Sequence, residues 1–299
     1  MENGGSEPMN VLILGAGYSG TAIAKALAPL ANSVTGTTRS AEKLGRLEAA
    51  GIRPILFDGA DISEELKDAM RDTTHLVQSI APGREGDPMF RATTPPLAEL
   101  LPRLEWVGYL STVGVYGDHG GAWVTEDTPL NPVSQRSLER VEAENAWLRH
   151  GAQCDVPVAV LRLAGIYGPG RNAFRNLSEG TARRVIKPNQ VFNRIRVEDI
   201  GAVSAFLAER GTGGVFNVTD DEPAPPQDVV LEAARLMGVE PPPEIPFETA
   251  EMSPMARSFY GENKRVSNAR LRQMGFDLAF PNYRVSLAQL WTSGAWNRQ

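Results

Sequence analysis

The 299-residue chain has one cysteine, Cys154, and three histidines, His75, His119 and His150. A single thiol excludes an intrachain disulfide and suits a reducing compartment, so a cytoplasmic protein is expected. The histidines show no metal-ligand spacing with one another or with Cys154, which argues against a zinc site. No apolar run reaches the ~18 residues of a membrane span. Positive charge is also short, with 30 Lys and Arg against 36 Asp and Glu, a net charge of −6 and a pI of about 5.3. General attraction to nucleic acid or anionic lipid has no source in such a chain, so neither is expected as a partner. Met1 to Pro8 is acidic and Gly-rich, and the first basic residue is Lys25. This stretch lacks the basic start and apolar core of a secretory signal and reads as a disordered tail, with Met9 a second candidate start.

What is present is a globular composition: 42% hydrophobic and 22% charged residues. At roughly 150 residues per domain the length allows about two domains. Short apolar runs alternate with helical patterns. Strands are predicted at Met9–Leu14, Ser33–Thr38, Ile52–Phe57, His75–Ala81, Trp106–Ser111 and Val158–Leu163. Helices are predicted over Ser19–Leu30, from a Ser40 cap to Ala50, from Ser63, and over Ser134–His150. This rhythm implies right-handed βαβ crossovers and an α/β fold with a doubly wound parallel sheet. After Gly168 the rhythm changes. Arg171–Arg196 reads as irregular and basic. A helix (Asp199–Arg210), a strand (Gly214–Thr219) and three further helices (Gln227–Met237, Ser267–Met274, Val285–Leu290) follow. The expected division is a nucleotide-binding domain over 9–170 with 196–220, and a smaller substrate-binding part over 171–195 with 221–299.

Gly15-Ala16-Gly17-Tyr18-Ser19-Gly20 falls between the first strand and the first helix. In that setting the first Gly allows a tight turn, the second lets a pyrophosphate approach the backbone, and the third lets helix and strand pack closely. The helix N-terminus adds N–H groups and the positive end of its dipole. This is the Rossmann dinucleotide signature, with an empty nucleotide fold or an S-adenosylmethionine site as the alternatives. The second strand ends in Thr35-Gly36-Thr37-Thr38-Arg39-Ser40, without the carboxylate that would bind the ribose 2′-OH of NAD. Arg39, with the Thr38 and Ser40 hydroxyls, instead suits a 2′-phosphate, so NADP(H) is expected ahead of NAD(H).

The order of later segments resembles the extended short-chain dehydrogenase/reductase superfamily, in its nucleotide-sugar epimerase/dehydratase group. The segments are Leu110-Ser111-Thr112-Val113-Gly114-Val115-Tyr116-Gly117, Glu126–Pro132, Leu161–Gly170, Arg196-Val197-Glu198-Asp199-Ile200 and Phe216-Asn217-Val218. The resemblance implies that Thr112 orients the reacting oxygen. It also implies that Asp58, Ser79, Ala81, Ile166 and Tyr167 join the glycine turn, Tyr18 and Ser19 around the cofactor, and that dimers are common. The family's Tyr-x-x-x-Lys is missing, and Arg136 and Arg140 stand in its two places. Arginine cannot exchange a proton near neutral pH. The chain is therefore similar to the atypical members, which keep the cofactor site but lack the usual Tyr. Arg140 remains a candidate donor to the nicotinamide ribose. Tyr116 and, on a Gly-rich loop, His119 are candidate acids, with a structural Tyr and a surface His as the alternatives. Between Arg162 and Arg196 lie eight basic residues and one acid, Glu179. They suit capture of an anionic small-molecule substrate or, equally, a basic face paired with nearby acids. The enzyme reading is an oxidoreductase or epimerase/dehydratase, and the rival is a non-catalytic NADP(H) sensor or partner-binding protein.

Overall fold

Met9-Asn10-Val11-Leu12-Ile13-Leu14 offers apolar side chains to both sides, and the chain folds it as an interior strand of a sheet. The computed structural model describes residues 9–93 and 96–298; the tail expected over Met1 to Pro8 lies outside them. In chain order the elements begin β1 (Met9–Leu14), α1 (Tyr18–Leu27), β2 (Ala31–Thr38), α2 (Leu44–Ala49), β3 (Arg53–Leu56), α3 (Glu64–Asp72), β4 (His75–Gln78), α4 (Pro88–Ala92), α5 (Leu97–Leu100) and β5 (Trp106–Thr112). They continue β6 (Trp123–Val124), α6 (Gln135–Cys154), β7 (Val158–Leu163), β8 (Gly165–Tyr167), α7 (Ala173–Ser178), β9 (Arg184–Ile186), β10 (Arg194–Arg196), α8 (Val197–Glu209) and β11 (Gly214–Val218). The last are α9 (Pro226–Met237), β12 (Glu244–Pro246), α10 (Pro254–Phe259), β13 (Arg265–Val266), α11 (Ala269–Gln273) and α12 (Tyr283–Thr292).

Seven strands form one parallel sheet in the order β11-β7-β5-β4-β1-β2-β3. Val11 lies opposite Val34 on β2 and His75 on β4, Thr35 opposite Arg53, and His75 opposite Trp106. The order reverses between β1 and β4, the switch point at which the carboxyl ends of strands in this fold open a ligand crevice. The doubly wound α/β expectation therefore holds. The chain divides into two compact units. The first takes Met1–Thr112, Ser134–Arg162 and Ile200–Phe216; the second takes Val113–Val133, Leu163–Asp199 and Asn217–Gln299. In the first, one face of the sheet buries Leu12, Leu14, Leu76, Val107 and Tyr109 with Met70 and Trp147 from flanking helices. The second holds three short parallel pairs, β8/β10, β9/β12 and β6/β13. Its apolar core sets Phe174 against Ala233, Tyr283, Leu287 and Leu290, with Trp291 and Trp296 packed alongside. Among the described residues no helix is long and apolar enough to cross a membrane.

Four local expectations need correction. Ser40 makes no side-chain cap; a 3₁₀ turn over Ala41–Lys43 precedes α2. β4 ends at Gln78 rather than Ala81, because the Gln78 side chain takes the Ile80 N–H at 3.1 Å and turns the chain off the sheet. Helix α6 runs on to Cys154, ending at Asp155 in the left-handed region with φ 55. Gly151 permits the extra turn, since a Cβ there would sit 2.5 Å from Val158 Cγ2 and 2.6 Å from the Val156 carbonyl oxygen. The stretch Arg171–Arg196 is not irregular but carries α7, β9 and β10.

Candidate dinucleotide site

Two of the three glycines of the turn make contacts that only a glycine allows. Gly15 has φ +86, and its N–H donates to Thr37 Oγ1 at 2.8 Å while Ala16 N donates to the Thr37 carbonyl at 2.8 Å. A Cβ on Gly15 would stand 2.9 Å from Ile80 Cγ1 and 3.2 Å from Ile80 N; one on Gly20 would stand 2.7 Å from the Gly15 carbonyl oxygen. Those two glycines are accounted for by packing. Gly17 is different: a Cβ there would meet nothing within 4 Å, and its φ of −82 suits any residue. Gly17 is the N-cap of α1, and no side chain caps that end. A bare backbone facing open space at a helix start fits a phosphate that must come close. The residues present thus fit a dinucleotide.

The remaining rim positions of the first unit follow the carboxyl ends of neighbouring strands. Thr38 ends β2, and its hydroxyl accepts from Ser40 N at 3.3 Å; Arg39 between them is exposed. Asp58 follows β3, is exposed, and accepts from Ala60 N at 3.0 Å. Ser79 follows β4, its N–H bonded to the Leu14 carbonyl at 2.9 Å, and Ala81 lies two residues on. Thr112 ends β5 and is half-buried. Tyr18 and Ser19 open α1. Ile166 and Tyr167 lie on β8 in the second unit; burial pushes the Tyr167 phenol well above its usual pKa.

Beside Thr112, α6 lies against β5 through charged groups. Arg140 donates to the Leu110 carbonyl at 2.5 Å and to Tyr109 Oη at 3.4 Å. Burial pushes the Tyr109 phenol up to about 12, with Arg140 opposing the shift. One turn on, Glu144 accepts from Ser111 Oγ at 2.5 Å and from Arg162 Nε and Nη2 at 3.2 and 2.8 Å. Both ends of that ion pair are buried, at 6% and 2% side-chain exposure. Arg136, a turn before Arg140, is exposed. Tyr116 belongs to the second unit; it is fully buried, and its hydroxyl donates to Asn217 Oδ1 at 2.7 Å. His119 Nε2 lies 3.0 Å from the Tyr116 carbonyl, which fixes the proton on that nitrogen. Both candidate acids are thus engaged by their own unit.

The basic stretch is largely met from within as well. Arg162 closes on Glu144, Arg175 on Glu179 at 2.7 Å, Arg184 on Glu244 at 2.7 Å and Arg196 on Glu198 at 2.6 Å. Arg194 donates to the carbonyls of Phe192 and Ala224 at 2.9 and 3.0 Å, Arg183 to that of Glu251 at 2.5 Å, and Lys187 to that of Tyr260. Arg171 has a partner too. Among the described residues no group of three His, Cys, Asp or Glu is arranged to hold a metal.

Reading the sequence did not find Asp87. It is 3% exposed and accepts from Gln78 Nε2 at 2.7 Å, Met89 N at 2.9 Å and Trp147 Nε1 at 3.1 Å. Burial raises its carboxyl pKa, against the pull of these donors. The signal was a polar Gln closing the buried strand His75-Leu76-Val77-Gln78, and an Asp-Pro pair opening a helix.

The model of the NAD dependent epimerase/dehydratase family matches residues 11–218. Protein YeeZ of Escherichia coli (strain K12) is 31% identical over 288 residues, covering 91% of this chain and 96% of YeeZ. A conserved protein of unknown function from Silicibacter pomeroyi DSS has a solved structure that is 45% identical, covers 95% of this chain and 98% of that one, and superposes with a TM-score of 0.85. The dTDP-glucose 4,6-dehydratase of Bacillus anthracis str. Ames, solved with NAD, shares the fold at 17% identity and a TM-score of 0.74, over 97% of this chain and 98% of that one.

Proposed function

Because the chain belongs to the NAD dependent epimerase/dehydratase family, we propose that it is an NADP(H)-dependent oxidoreductase or epimerase/dehydratase acting on an anionic small molecule. The observation that carries the reading is Gly17, a glycine at an uncapped helix start with no neighbour to explain its missing side chain. Arg39, exposed at the end of β2, is the residue we assign to the 2′-phosphate. A charge-assisted contact of about 1.5–3 kcal/mol gives roughly 10- to 150-fold preference for NADPH over NADH. Fluorescence titration of both dinucleotides tests this: Arg39→Ala should lose most of the NADPH affinity and leave NADH binding unchanged. Equal affinities in the native protein would remove the assignment.

When bound, the dinucleotide supplies or accepts the hydride. Thr112 would orient the reacting oxygen of the substrate. Arg140, held at the end of β5 by the Leu110 carbonyl, would donate to the nicotinamide ribose and place positive charge beside that oxygen. Neither Arg140 nor Arg136 transfers a proton near neutral pH, so reduction of simple carbonyls should be slow. A nucleotide-linked molecule, the class named for the Bacillus anthracis neighbour, is the substrate class proposed. Arg183 is exposed and bonded to a carbonyl rather than a carboxylate, so it keeps its charge for a ligand; Arg183→Ala should weaken the thermal shift given by phosphorylated ligands without touching that given by NADPH. The single Cys154 suits a cytoplasmic site of action.

A second reading has its own support. With Tyr116 and His119 engaged inside their unit, the chain would bind NADP(H) without turnover, as a sensor. Arg136→Tyr with Arg140→Lys separates the two: NADPH-dependent carbonyl reduction gained by this variant, and lost again with Thr112→Val, supports an active-site layout. Tight NADPH binding with no turnover in any variant supports the sensor.

A further inference from the structure

Gly15 is gripped from two sides. On one, its N–H is held by the Thr37 hydroxyl at 2.8 Å. On the other it packs against Ile80, where a Cβ on residue 15 would stand 2.9 Å from the Ile80 Cγ1 and 3.2 Å from the Ile80 N. What fixes Ile80 is not sheet pairing, because β4 has ended two residues earlier. The Ile80 N–H is taken by the Gln78 side-chain oxygen at 3.1 Å, and the Gln78 amide nitrogen is held by Asp87 Oδ1 at 2.7 Å. Asp87 in turn accepts from Trp147 of α6 through Oδ2 at 3.1 Å. All three side chains are at most 3% exposed. The result is a buried chain of hydrogen bonds from the middle of α6 to the back of the glycine turn. A buried carboxylate with three donors is expensive to maintain unless it fixes something.

We infer that Gln78 and Asp87 are positioning residues for the cofactor: they set the place of Ile80 behind Gly15, and through it the shape of the turn that receives the diphosphate. Neither side chain touches the dinucleotide. The inference rests on the proposed dinucleotide reading and adds the device that shapes its site. The polarity of the chain is specific. Gln78 must accept from Ile80 with its oxygen and donate to Asp87 with its nitrogen. Gln78→Glu keeps the acceptor for Ile80 but sets two carboxylates against each other. Asp87→Ala removes the oxygen that accepts from both Gln78 and Met89 N and frees the Gln78 amide.

The test is titration of single variants with NADPH and NADH, with melting temperatures measured on the same samples. Gln78→Glu and Asp87→Ala should each weaken both dinucleotides about tenfold, with the NADPH/NADH ratio unchanged, since Arg39 is not involved. Trp147→Phe, which removes only the indole N–H bond to Asp87 and leaves the Gln78–Ile80 link, should lower the melting temperature with less than a threefold effect on binding. Single variants that fold and bind as the native protein does would overturn the inference. So would affinity that follows melting temperature across the whole set, Trp147→Phe included. A native protein that binds neither dinucleotide would instead overturn the proposed function itself.

Discussion

Gly17, Gly20 and Gly36 share a residue type but not a reason. Gly20 and Gly36 are demanded by packing, with a Cβ placed 2.7 Å from the Gly15 carbonyl oxygen in one case and 2.7 Å from both Ala16 Cβ and Ile52 Cγ2 in the other. A Cβ on Gly17 would meet nothing within 4 Å, and its φ is ordinary. Gly20→Ala should therefore cost about 1–3 kcal/mol of stability through overpacking, seen as a lower urea midpoint. Gly17→Ala should cost less, no more than about 1 kcal/mol for Ala at a helix N-cap, and still weaken NADPH binding. A Gly17→Ala protein that binds NADPH normally would remove the phosphate from that spot.

At the scale of elements, α6 bears most of what is unusual in this chain. Its inner face meets β5 with Arg140 and Glu144, and Glu144 is bridged to Arg162 of β7 in near-complete burial. Breaking such a pair from one side strands a charge. Glu144→Gln or Arg162→Met alone should cost about 3–5 kcal/mol, while Glu144→Leu with Arg162→Met should recover much of it; chemical denaturation of the three proteins reads the difference directly. The sequence made α6 visible as a helix, along with the strands and the glycine turn, because those features are written in neighbouring residues. Its last turn was missed, since the licence for it, Gly151 against Val158, is a contact and not a pattern. The same distinction explains the basic stretch. A run of charge can be counted in a sequence, but the partners that quench it, Glu244 for Arg184 or the Ala224 carbonyl for Arg194, come from far along the chain. The Gln78–Asp87–Trp147 link stayed hidden for that reason too, one partner being 60 residues away.

At the scale of the whole molecule, several carboxyls are held out of water. Burial pushes Asp220 up to about 8, despite the Glu222 N–H and the nearby Arg194, and raises Asp87 and Asp199 as well. A carboxyl raised in this way holds its proton more tightly in the folded chain than in the unfolded one. Its contribution to stability is complete below the unfolded pKa near about 4 and is lost as pH climbs through about 8. The melting temperature should therefore fall between pH 5 and pH 9, on the order of degrees, and Asp220→Asn should flatten that slope. A native protein equally stable across the range, or an Asp220→Asn slope as steep as the native one, would contradict the assignment of Asp220.

Each of the two units draws on three separated stretches of chain. No single cut can therefore release either one intact. A fragment ending at Val218 would contain every residue matched by the family model and all seven strands of the large sheet. It would also leave β6 without β13 and Phe174 without the helix α12 that packs against it. Domain dissection by truncation, the usual way to ask which half of a protein binds a ligand, is closed to this molecule.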